Sequence, residues 1–172
     1  MKTLIVSAFP GCGKTYLCKH QKDMGYSVID MDSSIFKNSL QWESTYVDCI
    51  KNKMGAYDFV LISQHDKVLL ELARRNIPFV TVAPNNSERL LMRERQLIKQ
   101  QWFGRFILRD NFHIVDMEAW LIKLIKNYDI WTNPKHLKQY NPLKHFALME
   151  NQYLEDIINE LYLCKEDTEY KL

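Results

Sequence analysis

Short apolar runs recur along the chain, spaced so that a helix fits between most of them. TLIVS (Thr3–Ser7), YSVID (Tyr26–Asp30), FVLIS (Phe59–Ser63) and FVTVA (Phe79–Ala83) are dominated by β-branched and aromatic residues. They do not alternate apolar with polar as half-exposed strands do, so they predict strands buried on both faces. HFALM (His145–Met149) predicts a short fifth strand. Between the runs the spacing turns helical. A helix is expected from Lys14 to Met24, with Gly25 as its C′ residue. Ser39 caps a second that runs to about Lys53 and stops near Gly55. Further helices are expected over Val68–Arg75, Glu88–Gln100, Val115–Tyr128 and Tyr153–Leu163. Thr132–Lys144 is the least patterned stretch and predicts a surface loop. Alternating strands and helices predict an α/β fold with a five-stranded, mostly parallel sheet and helices on both faces. No internal repeat or low-complexity segment interrupts this order, so residues 1–164 read as a single domain. The polar end CKEDTEYKL predicts a fraying tail over 165–172.

Composition changes this picture little. Of 172 residues, 47% are apolar and 26% charged, as in ordinary globular chains, and the net charge of +2 is too mild to argue for nucleic acid. The four cysteines (Cys12, Cys18, Cys49 and Cys164) form no C-x-x-C pair and no zinc-type spacing, which predicts free thiols in a reducing, cytoplasmic compartment. The opening apolar run stops at Pro10-Gly11 without a signal-peptide cleavage pattern, and no apolar stretch is long enough to span a membrane.

The candidate chemistry begins at SAFPGCGKTYL, Ser7–Leu17. A buried strand, a glycine turn and a helix opening on Lys-Thr are the parts of a phosphate-binding loop. Its backbone amides hold the β-phosphate, Lys14 neutralises the β/γ oxygens, and the Thr15 hydroxyl serves Mg²⁺. The nucleotide-binding set is therefore Ala8, Gly11, Cys12, Gly13, Lys14, Thr15 and Tyr16. Ala8 replaces the usual first glycine, while Gly11 and Gly13, which most need to be small, are present.

VIDMDSS follows, with Asp30 and Asp32 at the end of the second strand. Residues two apart on a strand face one way, here towards the crevice beyond the carboxyl ends where the phosphates would lie. Asp30 is assigned to the metal; Asp32 orients an acceptor hydroxyl or takes its proton. The same residues would also suit a solvated turn. FVLIS ends in Ser63 and carries no metal-binding aspartate at its end, which argues against motor ATPases and switch GTPases, and no N-K-x-D motif reads guanine. His65 either faces the acceptor or begins a helix. Later, in KQQWFGRFILRDN, Arg105 and Arg109 stand four apart on one helix face, suited to a lid that closes on the γ-phosphate.

AFPGCGKTYL, VIDMDSS and GRFILR together resemble the small P-loop kinases, the branch of adenylate and shikimate kinases with its bacterial and phage members. The resemblance runs from Thr3 to about Leu163, and only the loop is highly specific. It implies a P-loop NTPase fold with a five-stranded parallel sheet and ATP with Mg²⁺ as donor. It further implies an acceptor-binding helix near Trp42–Asp48, a lid over about 94–112, and an adenine-contacting turn near Asn151–Tyr153.

One departure bears on the acceptor. Monophosphate kinases of this branch grip a dianionic acceptor with arginines, yet this chain has no arginine before Arg74. The acceptor helix region offers only Lys37, Lys51 and Lys53, while Asp30 and Asp32 would repel a phosphate. The expected activity is transfer of the γ-phosphate of ATP to a hydroxyl of a nucleoside, modified base or metabolite. The alternatives are a nucleoside monophosphate kinase and a non-catalytic NTP-binding module. Aromatic and basic residues interleave over Lys99–Arg109, which leaves a nucleic acid open as acceptor. A monomer or dimer without a membrane partner is expected.

Overall fold

The apolar runs form the strands β1 (Leu4–Ala8), β2 (Val28–Met31), β3 (Phe59–Ser63), β4 (Phe79–Pro84) and β5 (Lys144–Leu148). The computed structural model describes residues 3–21, 24–36, 40–109 and 114–167, and their side chains apart from those of 106–109, 114–120 and 165–167. The sheet is all parallel, in the order β2-β3-β1-β4-β5. Its central strands have lost contact with water: Ile5, Val6, Leu61, Ile62 and Val82 are fully buried, as continuous apolar runs require.

The described helices are α1 (Lys14–His20), α2 (Trp42–Lys51), α3 (Asp66–Arg74), α4 (Met92–Arg109), α5 (Ile114–Trp131), α6 (Pro134–Lys138) and α7 (Leu154–Asp167). The chain leaves β1 past β3 to reach β2, and leaves β3 in the opposite direction past β1 to reach β4. Right-handed crossovers in opposite directions put α1 and α3 on opposite faces of the sheet. The helix contacts follow that division, with α1 against α7 and α2 against α3. The same reversal opens a crevice beyond the carboxyl ends of β1 and β3.

Several sequence expectations change. Thr132–Lys144 is not a loop: Asn133 caps α6, its side chain accepting from Lys135 N at 2.8 Å, with Pro134 at the first helical position. Leu137 and Tyr140 of this stretch are buried. The helix expected over Glu88–Gln100 starts at Met92 and continues through GRFILR to Arg109. Its start is fixed by Glu94, whose carboxylate accepts from Leu91 N at 2.7 Å. α2 begins at Trp42 behind Gln41, which takes a left-handed φ of 57°, and the expected cap Ser39 lies outside the described residues. α7 runs to Asp167, into the segment expected to fray. No described helix is long and apolar enough to cross a membrane.

Candidate functional site

The loop after β1 is held from three sides. Phe9 N donates to Val82 O of β4 at 2.9 Å, and the buried Phe9 ring packs on Trp102 and Tyr128, with centroids 5.4 and 5.8 Å away. Trp102 Nε1 donates to Pro10 O at 2.6 Å, and Leu154 N donates to Cys12 O at 3.0 Å. Between these anchors Gly11 and Gly13 adopt φ of 80° and 104°. A Cβ at Gly13 would touch nothing within 4 Å, so the left-handed backbone, not crowding, demands glycine. Among the described residues the amides of Gly11 and Gly13 donate to no protein acceptor. Left-handed glycines with open amides make an anion-binding concavity.

Lys14 Nζ donates to Ala8 O at 2.9 Å, back across the loop from the first turn of α1. Ala8 itself is buried in the sheet, paired with Ser63 and Val82. Burial raises the Cys12 thiol to about 12 and the Cys18 thiol, which also feels Asp30, to about 11. Neither is a thiolate nucleophile.

β2 brings its carboxylates to the same place. Thr15 Oγ1 donates to Asp30 Oδ2 at 3.1 Å. Asp32, just beyond the strand, accepts from both Ser34 N and Ser34 Oγ at 2.8 Å and thereby shapes the single turn Ser34–Phe36. Between the two aspartates, Met31 O accepts from the buried Tyr46 hydroxyl of α2 at 2.6 Å, which fixes where β2 ends. Burial holds that hydroxyl well above its ordinary pKa, so it stays a donor.

These groups line one cleft of about 880 Å³. Pro10, Gly11, Lys14 and Thr15 form one wall, with Asp30, Asp32, Ser33 and Ser34 beside them. Trp42, Ser63, Gln64, His65 and Asp66 continue the lining, and Lys123, Leu124 and Trp131 of α5 complete it. His65 Nε2 lies 3.0 Å from Ser33 Oγ, and the Trp42 ring stands edge-on to the imidazole at 5.6 Å. Gln64 Nε2 donates to Trp131 O at 2.6 Å, and Asp66 pairs with His136 at 3.1 Å. Among the described residues no arginine lines the cleft.

The structure thus gathers Gly11, Lys14, Thr15, Asp30 and Asp32 around one space, with Ala8, Cys12 and Gly13 supporting the loop. Tyr16 is exposed and stacks on His20, 4.1 Å between centroids. Arg105 lies elsewhere, over the turn that follows β5. Its guanidinium donates to Gln152 O at 2.8 Å and to Gln101 Oε1 at 3.0 Å, and it covers the Tyr153 ring at 3.9 Å. Only a small cavity of about 10 Å³ separates it from Gly11 and Cys12. The Arg109 side chain and Lys37 fall outside the described residues. Lys51 ends α2, about 14 Å along the helix axis from Trp42, so neither it nor Lys53 serves the cleft.

Sequence reasoning overlooked Phe9 as an anchor, and Lys123 and Trp131 as cleft residues. Phe9 had a signal, an aromatic between a buried strand and a glycine turn. Lys123 and Trp131 had none, because only the packing of α5 brings them there.

Among the described residues no group of three or more His, Cys, Asp or Glu could cage a metal ion. No protein-family model matches the chain, and a search of the curated proteins returns no match.

Proposed function

We propose that this chain is an ATP-dependent phosphotransferase with a P-loop kinase fold, moving the γ-phosphoryl group to a hydroxyl. The observation that carries the reading is the joint placement of Lys14 and the Thr15–Asp30 pair at one cleft, beside a loop with two left-handed glycines. The amides of Gly11 and Gly13 would take phosphate oxygens, and Lys14 Nζ would exchange Ala8 O for the β/γ oxygens. A hydroxyl and a carboxylate 3.1 Å apart are hard oxygen donors, fitting Mg²⁺ held by few protein ligands and completed by phosphates and water. Thr15 and Asp30 would hold that ion, which would supply neutralisation of the charge that develops during transfer.

At the acceptor side, Asp32 orients the hydroxyl and receives its proton. The acceptor oxygen forms a bond to the γ-phosphorus as the bond from phosphorus to the bridging oxygen breaks. ADP leaves with that electron pair. Three carboxylates (Asp30, Asp32 and Asp66) and, among the described residues, no arginine at the cleft favour a neutral alcohol over a phosphate dianion. One observation supports the monophosphate alternative: Lys123 lines the cleft, and among the described residues its amine has no ion-pair partner. A lid role for residues 94–112 would require α4 to leave the turn after β5, where Arg105 and Gln101 hold it.

Incubation with γ-labelled ATP and a panel of nucleosides, nucleoside monophosphates, sugars and oligonucleotides tests the reading, with Lys14→Ala as its control. Transfer to an alcohol is expected, falling at least about 10²–10³-fold in Lys14→Ala with little change in melting temperature. Undiminished transfer by folded Lys14→Ala, or no transfer to any acceptor, rejects it.

A further inference from the structure

Two tryptophans set the character of the cleft. Trp102 shows how an indole is normally accommodated: it is buried, and its N–H donates to Pro10 O. Trp42 and Trp131 are different. Both are only half-buried, both line the cleft, and among the described residues neither indole N–H donates to a protein acceptor. They are tied to adjacent residues of one loop, Trp42 edge-on to His65 and Trp131 through its carbonyl to Gln64. Two open aromatic surfaces and two available indole donors therefore border the same space as Asp32. Leu124 adds an apolar side.

A cleft of about 880 Å³ sits high in the range of roughly 300–1,000 Å³ common for small-molecule sites. A bare polyol would leave its aromatic walls unused. A phosphorylated acceptor would bring charge to Asp30 and Asp32. What uses every part is an uncharged molecule with a flat ring at one end and a hydroxyl at the other. The ring lies against indole, ring oxygens or nitrogens accept from the indole N–H groups, and the hydroxyl reaches Asp32.

Resting on the phosphotransferase reading above, we propose that the acceptor is a free nucleoside or a close relative, an alcohol carried on an aromatic heterocycle, held by Trp42 and Trp131. These two residues determine specificity; they take no part in the transfer itself.

The test is binding by the full chain without ATP. Common deoxynucleosides, their 5′-monophosphates and myo-inositol are titrated in turn, followed by tryptophan fluorescence and calorimetry. At least one nucleoside is expected to quench emission and to bind about ten-fold or more tightly than myo-inositol. Trp42→Leu and Trp131→Leu should each weaken that binding by roughly 5- to 150-fold, the range for losing a base–aromatic stack. Trp42→Phe and Trp131→Phe keep a ring, so they should keep most of the affinity while losing part of the quenched signal. They also carry the test if the leucine variants fail to fold.

Absence of binding by every nucleoside overturns the proposal. So does myo-inositol binding equally well, a monophosphate binding far more tightly than its nucleoside, or unchanged affinity in folded leucine variants. Because these readouts need no phosphate transfer, the two ideas fail separately. Nucleoside binding without turnover counts against the kinase reading alone, and transfer to a ringless alcohol counts against this one alone.

Discussion

At the amino ends of the strands, Thr3 Oγ1 donates to Tyr57 O at 2.6 Å and accepts from Gly55 N at 2.7 Å, while Asp58 accepts both the amide and the hydroxyl of Ser27. At the carboxyl ends, a threonine and two aspartates of the same kinds surround an open cleft with Lys14. The contrast lies in what the bonds join. Thr3 and Asp58 tie together segments 31 to 54 residues apart, so they close the fold. Asp32 bonds to Ser34 only two residues on, and Lys14 to Ala8 only six residues back. Those two short-range bonds could be exchanged for a ligand without opening the core. Residue type alone does not separate Asp58 from the aspartates proposed to act; which end of the parallel sheet they occupy does.

The largest effect expected from breaking this contrast is at Asp32. Asn in its place keeps the shape and one oxygen for Ser34, but loses the charge proposed to orient the hydroxyl and receive its proton. Transfer to a hydroxyl acceptor should fall by about 10²–10⁴, with ATP binding and melting temperature nearly unchanged. A monophosphate acceptor already carries nucleophilic oxygens, so Asp32→Asn would then be mild. A near-normal rate with a hydroxyl acceptor refutes the role assigned to Asp32.

Asp58 supplies the converse, with a smaller effect. Asp58→Ala leaves the Ser27 amide without its acceptor, a loss of about 1–3 kcal/mol for a partly buried donor. At this chain length the melting temperature should drop by roughly 3–10 °C. Turnover measured well below the transition should match the unaltered protein. If instead turnover collapses while the melting temperature holds, the division between the two ends is wrong.

How far the sequence could be read follows the same division. β1, β3 and β4 were legible to within a residue because burial on both faces leaves a continuous apolar run, a local signal. The glycine turn and Asp30 were legible because backbone conformation and strand position are also local; Asp32 reaches the same cleft from the turn just beyond β2, not by strand alternation. The cleft's far wall was not. Trp131 and Lys123 reach it through the packing of α5, which no spacing encodes. The four-residue spacing of Arg105 and Arg109 could not say which surface Arg105 meets; it meets Tyr153. α6 was missed for a different reason. Asn-Pro serves equally as turn chemistry and as a helix cap, and only the burial of Leu137 beside it decides.

The smallest effect expected is in acid, where the carboxyl end of α3 meets α2. Arg75 of the α3 terminus pairs with Glu71, and also reaches Asp48 and Ser44 on α2, while Arg74 pairs with Glu71 as well. The Arg74 hydrogen bond, then that of Arg75, lowers the Glu71 carboxyl from 4.5 to about 2. Its folded value is depressed, so between these limits the unfolded chain binds more protons than the folded one. The stabilisation is therefore present above about pH 4.5 and is lost as pH falls towards 2. Arg74 is largely exposed, and solvent screening keeps the contribution modest. Thermal unfolding of the protein and of Glu71→Gln, compared across pH, isolates this one carboxylate from the others that titrate alongside it. The variant should melt lower near neutral pH, and the two curves should converge as pH drops from about 4.5 towards 2. A gap that stays constant through that window would mean that Glu71 acts through packing rather than charge, and that the ion cluster does not hold α2 to α3.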